Sequence, residues 1–471
     1  MSSIDVHRQH YNVTFTLLAV AAVAFALLQS LVAPALLTIQ HDLHTTTAGA
    51  AWILSAYLLS ASVLTPIAGR LGDMFGKKRM LVAVLVVLAA GAALAGLATS
   101  ITVMIVARVI QGAGGAIFPL AFAIIRDEFP RERVPHGIAL ISAILGIGGG
   151  LGIVLAGPIV QHLDYHWLFW FPMVAVVAAA VGTMVFVPES PVRTPGRIDP
   201  VGAVLLSGWL VALLVPVSEG ATWGWTSGRT LGLFAVAAVL IPVWIWAESR
   251  SRAPVVDMRM MRLRGVWTTN LTALVFGFGM YSSFVLVPEF VELPSSTGFG
   301  FGASVTKAGL FMVPATTGML LAGPVSGRLS STVGSRVPLV LGALFSFAGF
   351  VILAAAHGSD WEIYTAMLVL GVGIGFAFAS MANLIVEAVP GHQTGVATGM
   401  NTIVRTIGGA IGSQVTAGIV TATVAANRLP TDKGFTIAFA TAAAALAVGL
   451  VVAFAVPGRA TAADRRVAEA A

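Results

Sequence analysis

Apolar runs of about twenty residues recur along nearly the whole chain, separated by short islands that hold almost all of its charge. A run of that length makes a helix of about 30 Å, enough to cross the hydrocarbon core of a bilayer. The pattern implies an all-α polytopic membrane protein. The 471 residues are 57% hydrophobic and 10% charged, with a mean hydropathy of +0.92. A globular or secreted fold would need long polar segments, and none lies outside roughly the first dozen and last fifteen residues. The 51 glycines suit close helix approach, because lipid gives no hydrophobic drive and small residues let backbones pack.

Read between polar breaks, the runs place fourteen spans at 13–39, 47–69, 80–99, 101–125, 136–161, 166–188, 200–218, 229–247, 266–291, 305–326, 337–356, 362–386, 395–424 and 434–456. The first is too long for a cleaved signal peptide and is read as a retained span. An even number puts both termini on one face. Of the 26 Lys and Arg, twenty fall on that face, four on the other, and Arg108 and Arg405 lie inside spans. The positive-inside rule makes the face of the termini cytoplasmic, and the expected location is the inner, or plasma, membrane.

The net charge of +6 raises nucleic acid as a partner, but the cations are scattered over many short loops and topology accounts for them. With no cysteine, disulfides and thiolate metal sites are excluded. The glycine run GIGGGLG, Gly146–Gly152, follows no strand and does not fit a dinucleotide loop; its small-xxx-small spacing suits helix packing. No nucleotide loop or metal constellation occurs, so no cofactor is expected and a gradient is left as the energy source.

The stretches PIAGRLGDMFG, Pro66–Gly76, and PVSGRLSSTVG, Pro324–Gly334, share Pro, Gly, Arg, Leu and a final Gly. They follow the second and tenth spans, eight helices apart. Two six-helix halves with an inserted helix pair give that spacing, and internal repeats around a midplane site are the usual construction of secondary transporters. The expected division is a first bundle over 13–188, a linker pair over 189–265, a second bundle over 266–456 and a cytoplasmic tail over 457–471.

GRLGDMFGKKR, Gly69–Arg79, resembles the signature loop of the major facilitator superfamily, G-x-L-x-D-R-x-G-R-K/R-x. Gly69, Leu71, Asp73, Gly76, Lys77 and Lys78 fall on its fixed positions, and Met74 replaces a frequent Arg. RVIQGAGGA, Arg108–Ala116, resembles the fourth-helix motif R-x-x-Q-G of proton-coupled members. With fourteen spans, the chain resembles the drug:proton antiporter branch. That resemblance implies not an enzyme but a monomeric exporter of hydrophobic or cationic small molecules, exchanging them for protons by alternating access in contact with membrane lipid. Two features depart from the pattern. The fifth-helix antiporter core falls on Gly152–Gly157 without its proline and one glycine, and Leu28 stands where the first-helix motif carries an acid. The second departure gives weight to a rival that moves a native lipid or metabolite, or acts as a uniporter; a transporter-like sensor is a further rival.

Gly69, Asp73, Gly76, Lys77, Lys78 and Asp127 form the candidate gate. Asp73 is expected to meet the positive N-terminal end of helix thirteen near 393–396, and Lys77 or Lys78 to pair with Asp127 or Glu128. A solvated, topology-setting turn is the plainer reading. Arg108 and Gln111, one turn apart, and Asn401 and Arg405 in the second half suggest a shared polar cavity, since charge inside a membrane normally faces protein or water. A structural Arg bonded to neighbouring carbonyls is the alternative. Glu289, with Glu292 beyond it, is the best-placed proton carrier against the reading of an ordinary interfacial acid. By resemblance, helices one, two, four and five and their second-half counterparts line the substrate cavity. This nominates Phe25, Gln29, Trp52, Ser55, Met312, Met381 and Asn383, each also open to reading as lipid-facing filler.

Overall fold

A computed structural model describes residues 11–190, 199–424 and 429–458. Among the described residues the fold is all helical, with no strand. The spanning-length helices are α1 Tyr11–Ser30, α2 Thr47–Phe75, α3 Lys77–Gly96, α4 Ile101–Glu128, α5 Val134–His162, α6 Trp167–Phe186 and α7 Pro200–Trp223. They continue as α8 Gly228–Arg250, α9 Arg264–Glu292, α10 Val305–Val333, α11 Arg336–Ala355, α12 Asp360–Ala388, α13 Thr394–Ala422 and α14 Asp432–Ala455. Thirteen are long and apolar enough to cross a membrane; α5 is a helix of 29 residues between the fourth and fifth of these. Among the cations used to orient the chain, Arg8, Arg193, Arg197, Arg428, Arg459, Arg465 and Arg466 lie outside the described residues, as does the tail beyond 458.

Local chemistry explains where the helices differ from the runs. The predicted first span breaks after Ser30 and a short helix, Leu36–Asp42, follows the break. Pro34 lacks an N–H and disfavours helical geometry at Ala33. In α4 a 3₁₀ turn at Gly112–Ala116 interrupts the α-helix, just past the point where the Ser60 hydroxyl of α2 donates to the Val109 carbonyl at 2.5 Å. The largest correction concerns Gly69–Phe75, expected as a connection after a span ending at 69. These residues continue α2, and only Gly76 turns the chain, at φ +115°. That left-handed region favours glycine.

The repeat seen in sequence has a packing counterpart. In the first half α1 packs on α5 and α6, α2 on α4, and α3 on α4 and α6; in the second, α9 packs on α13 and α14, α10 on α12, and α11 on α12 and α14. Each contact maps onto the other set by a shift of eight helices. Across the halves α2 packs on α13 and α5 on α10, and the same shift exchanges these two seams. One apolar core is built from α1–α6 with Ala382 and Val386 of α12, and a second from α9–α14. A third joins α7 and α8 to the cytoplasm-predicted ends of α9, α12 and α13 through Leu206, Trp244, Val256, Ile385 and Val396. The buried Glu248 of α8 is satisfied there, accepting from Trp244 Nε1 at 3.2 Å and the Val256 N–H at 3.4 Å.

Candidate functional site

The α2–α3 corner grips the start of α13. Gly69 permits this approach: a Cβ there would lie 2.6 Å from the Gly395 carbonyl oxygen. With the backbones so close, the fully buried Asp73 accepts the Val396 N–H at 3.3 Å. Val396 lies in the first turn of α13, where free N–H groups and the helix dipole favour an anion. Past Gly76, the buried Lys77 ammonium donates to Asp127 Oδ2 at 2.5 Å and to the Gly391 carbonyl at 3.2 Å. It thus joins the end of α4 to the turn before α13. The Lys77–Asp127 pair has side chains 0% and 4% exposed, so it exchanges little solvation with water. Arg126 completes the grip, donating to the Thr394 hydroxyl at 2.7 Å, and Gln393 donates to Asp257 of the linker at 3.3 Å.

Of the two lysines nominated, Lys77 makes the ion pair with Asp127. Lys78 instead offers its backbone N–H to Glu189 Oε1 at 3.1 Å, and the Arg79 N–H donates to the other oxygen at 3.3 Å. Glu189 therefore satisfies two free donors at the start of α3, a role the sequence reading missed. Its signal was an acid just beyond the sixth apolar run. Ser190 beside it donates its hydroxyl to Asp127.

Deeper in the bundle, Arg108 is fully buried. Its Nε donates to the Ile53 carbonyl at 3.1 Å, and Nη1 donates to the Leu28 carbonyl at 3.2 Å and to Gln111 Oε1 at 2.7 Å. Gln111 passes the link to the Gly91 carbonyl at 3.0 Å. These bonds tie α4 to α1, α2 and α3, as the structural alternative for Arg108 requires. Leu28, in place of an acid, contributes its carbonyl to the same guanidinium. One arm is left over: Nη2 has no hydrogen-bond partner, nor has the hydroxyl of buried Tyr57, whose ring lies 4.2 Å below the guanidinium carbon.

Arg405 does not mirror this arrangement. It sits on α13, the counterpart of α5 rather than α4, half-buried, with its guanidinium 4.4 Å from the Phe378 ring centre. Asn401 donates to Asn270 of α9 at 2.9 Å. Asn270 was visible as a polar residue inside the ninth run but was not nominated.

Other nominated residues separate. Phe25 packs on Tyr57 and Phe118, with ring centres 6.3 and 6.0 Å away, and Gln29 reaches the Tyr281 side chain of α9 across the halves. Trp52 and Ser55 are half-buried on α2. Met312 and Met381 are enclosed in the second apolar core instead of lining open space, because α10 and α12 pack tightly together. Asn383 is a buried tie, donating to the Pro135 carbonyl of α5 at 3.3 Å. Glu289 stands half-buried in the last turn of α9, with Glu292 exposed at its end.

The sequence profile of the Major Facilitator Superfamily matches residues 18–413. The chain belongs to the major facilitator superfamily. This facilitator is a transporter, not an enzyme, and it is similar to proteins named for drug and antibiotic export. It is 30% identical over 388 residues to the tetracenomycin C resistance and export protein of Streptomyces glaucescens, a match covering 81% of this chain and 71% of that one. It is 28% identical to the multidrug transporter protein MdtP of Bacillus subtilis, covering 73% of this chain and 63% of that one. A match to an uncharacterized transporter of the superfamily from Mycobacterium tuberculosis spans 56% of that protein's length. The crystal structure of the human organic anion transporter MFSD10 superposes with a TM-score of 0.64, covering 95% of this chain and 99% of that one at 16% identity. At that identity the likeness shows the fold alone.

Proposed function

We propose that this transporter exports hydrophobic small molecules from the cell by alternating access, in exchange for protons, as a fourteen-span member of the drug:proton antiporter branch. The observation that carries the reading is the seam at the start of α13, where Asp73, Lys77 and Arg126 of the first half hold backbone and side-chain groups of the second. Such contacts close one mouth while they last and open it when they break. On this reading α5 counts as a span, both termini are cytoplasmic, and the seam lies at the cytoplasmic mouth. Residues 13–188 and 266–456 act as the two moving bundles, with the pair within 189–265 attached to one side and the protein working as a monomer. The relatives named as multidrug and antibiotic exporters support the substrate class.

Proton exchange needs a titratable carrier. Every acid within the fourteen helices falls at a helix end, Glu289 being the best placed near the opposite mouth. A uniporter, the second reading, follows from that distribution. Dye efflux from proteoliposomes under an imposed pH gradient decides: flux that follows the gradient supports exchange, flux indifferent to it supports a uniporter, and no flux removes transport of these dyes. Glu289→Gln is expected to uncouple flux from the gradient while dye binding persists; unchanged coupling eliminates Glu289 as the carrier.

A further inference from the structure

Two cations, Arg108 and Arg405, lie mid-helix with no acid near the middle of any helix in either half. Charge at such depth is costly unless it is paired or serves a function. Arg108 spends most of its donors on carbonyls, but Nη2 and the Tyr57 hydroxyl beside it are buried without partners. Arg405, on the other half, has no hydrogen-bond or ion-pair partner among the described residues. It rests against the Phe378 ring and within electrostatic range of Tyr281, which in turn lies near Tyr57 and Gln29 of the first half. Arg108 with Tyr57 in one half and Arg405 with Tyr281 in the other thus lie along one interface, among the rings of Phe25, Tyr57, Tyr281 and Phe378.

A cationic substrate entering here would meet two like charges and no carboxylate. An anion would satisfy these donors, and a buried donor without a hydrogen-bond partner is rare enough to need an explanation. An aromatic body would fill the ring-lined wall around it.

We propose that the interface between the halves selects organic anions, aromatic amphiphiles whose sulfonate or carboxylate is received by Arg405 together with the free Arg108 Nη2 and Tyr57 hydroxyl. This rests on the transport reading above and narrows its substrate class.

The test uses the full chain in proteoliposomes under an imposed pH gradient, with three dyes: anilinonaphthalene sulfonate, phenylnaphthylamine, which has the same rings without the sulfonate, and ethidium as a cation. Hydrogen bonds to charged groups are strong enough to separate the first two by about tenfold in flux at equal concentration. The sulfonate is also expected to inhibit movement of the amine in the unmodified protein, a result that needs no variant. Arg405→Gln should remove the preference, and Arg405→Lys should restore part of it. Movement of the amine or ethidium with exclusion of the sulfonate overturns the anion proposal and leaves transport standing. Failure of all three dyes to move overturns both.

Discussion

The corner between α2 and α3 and its counterpart between α10 and α11 share a backbone but not a chemistry. Each turns on a glycine at positive φ, Gly76 at +115° and Gly334 at +93°. Each brings a glycine against a helix start of the opposite half: a Cβ on Gly69 would lie 2.6 Å from Gly395 O, and one on Gly327 would lie 3.1 Å from His136 Cα. Where the first corner has buried Asp73, the second has exposed Ser331, whose hydroxyl turns back to the Arg328 carbonyl at 2.9 Å. In the place of Lys77 stands Ser335, donating to Glu387 at 2.8 Å within its own half. Beside Ser331 a cavity of about 440 Å³ stays open, lined by Tyr11, Glu132, Arg133 and His136 among others. The repeat therefore supplies the geometry twice and the ionic seam once. On the proposed reading, closure of this mouth is held on one side, where α7 also packs against α2 and α13.

Removing charge should expose that inequality most sharply. Lys77→Met leaves Asp127 buried without its cation, and breaking one partner of a buried pair costs about 3–5 kcal/mol. Ser335→Ala removes a single neutral donor to a more exposed acid and should cost about 0.5–1.5 kcal/mol. Thermal unfolding in detergent measures both, and equal losses at the two corners would discard the idea of a one-sided seam. Lys77→Met combined with Asp127→Leu should lose less than Lys77→Met alone, because no unpaired charge remains. Spin labels on cysteines placed in each half, the chain having none of its own, should show the mouth wider in the single variant.

Adding charge at the neutral corner is the converse test. Ser331→Asp faces the start of α5, with Arg133 and His136 nearby in the same cavity. A carboxylate at a helix start contributes about 0.3–1 kcal/mol, so transport should slow by roughly two- to fivefold if opening limits turnover. An unchanged or faster rate would mean that this side takes no part in the closing step.

Much of this was legible in the sequence because it is local. Apolar run length marked the helices, and the spacing of Gly69, Asp73 and Gly76 marked a turn with close backbone approach. The boundary at Gly69 was misplaced because a charged, glycine-rich stretch reads as a loop until packing on α13 holds it helical. Glu189, Asn270, Tyr57 and Tyr281 escaped for another reason. Each matters through a partner on a distant segment, as Glu189 does through Lys78 more than a hundred residues away. Arg405 was found, but the polar face it was given together with Asn401 rested on helical spacing alone. The Asn401–Asn270 bond shows that a neighbouring helix outranks the residue one turn back.

The smallest expected effect lies where the inserted pair joins the charged side. Asp199 caps α7, accepting from the Val201 and Gly202 N–H groups at 3.0 and 3.3 Å. The Ser251 hydroxyl, donating to the same carboxylate, is the main cause holding its pKa below the ordinary value, with the two N–H groups adding to it. A depressed folded-state pKa means that the cap's ionic contribution is complete above the unfolded value of about 3.9. It is lost as pH falls through the lower folded value. Asp199→Ala should cost about 0.5–2 kcal/mol at neutral pH, and the gap to the unmodified protein should close on acidification. Because α7 packs on α2 and α13 at the charged corner, the same variant should raise dye flux slightly if the pair braces the closed mouth. A stability gap that stays constant into acid would assign the cap to hydrogen bonding by the neutral carboxyl, and flux unaltered beside a real loss of stability would leave α7 a passenger on the seam it covers.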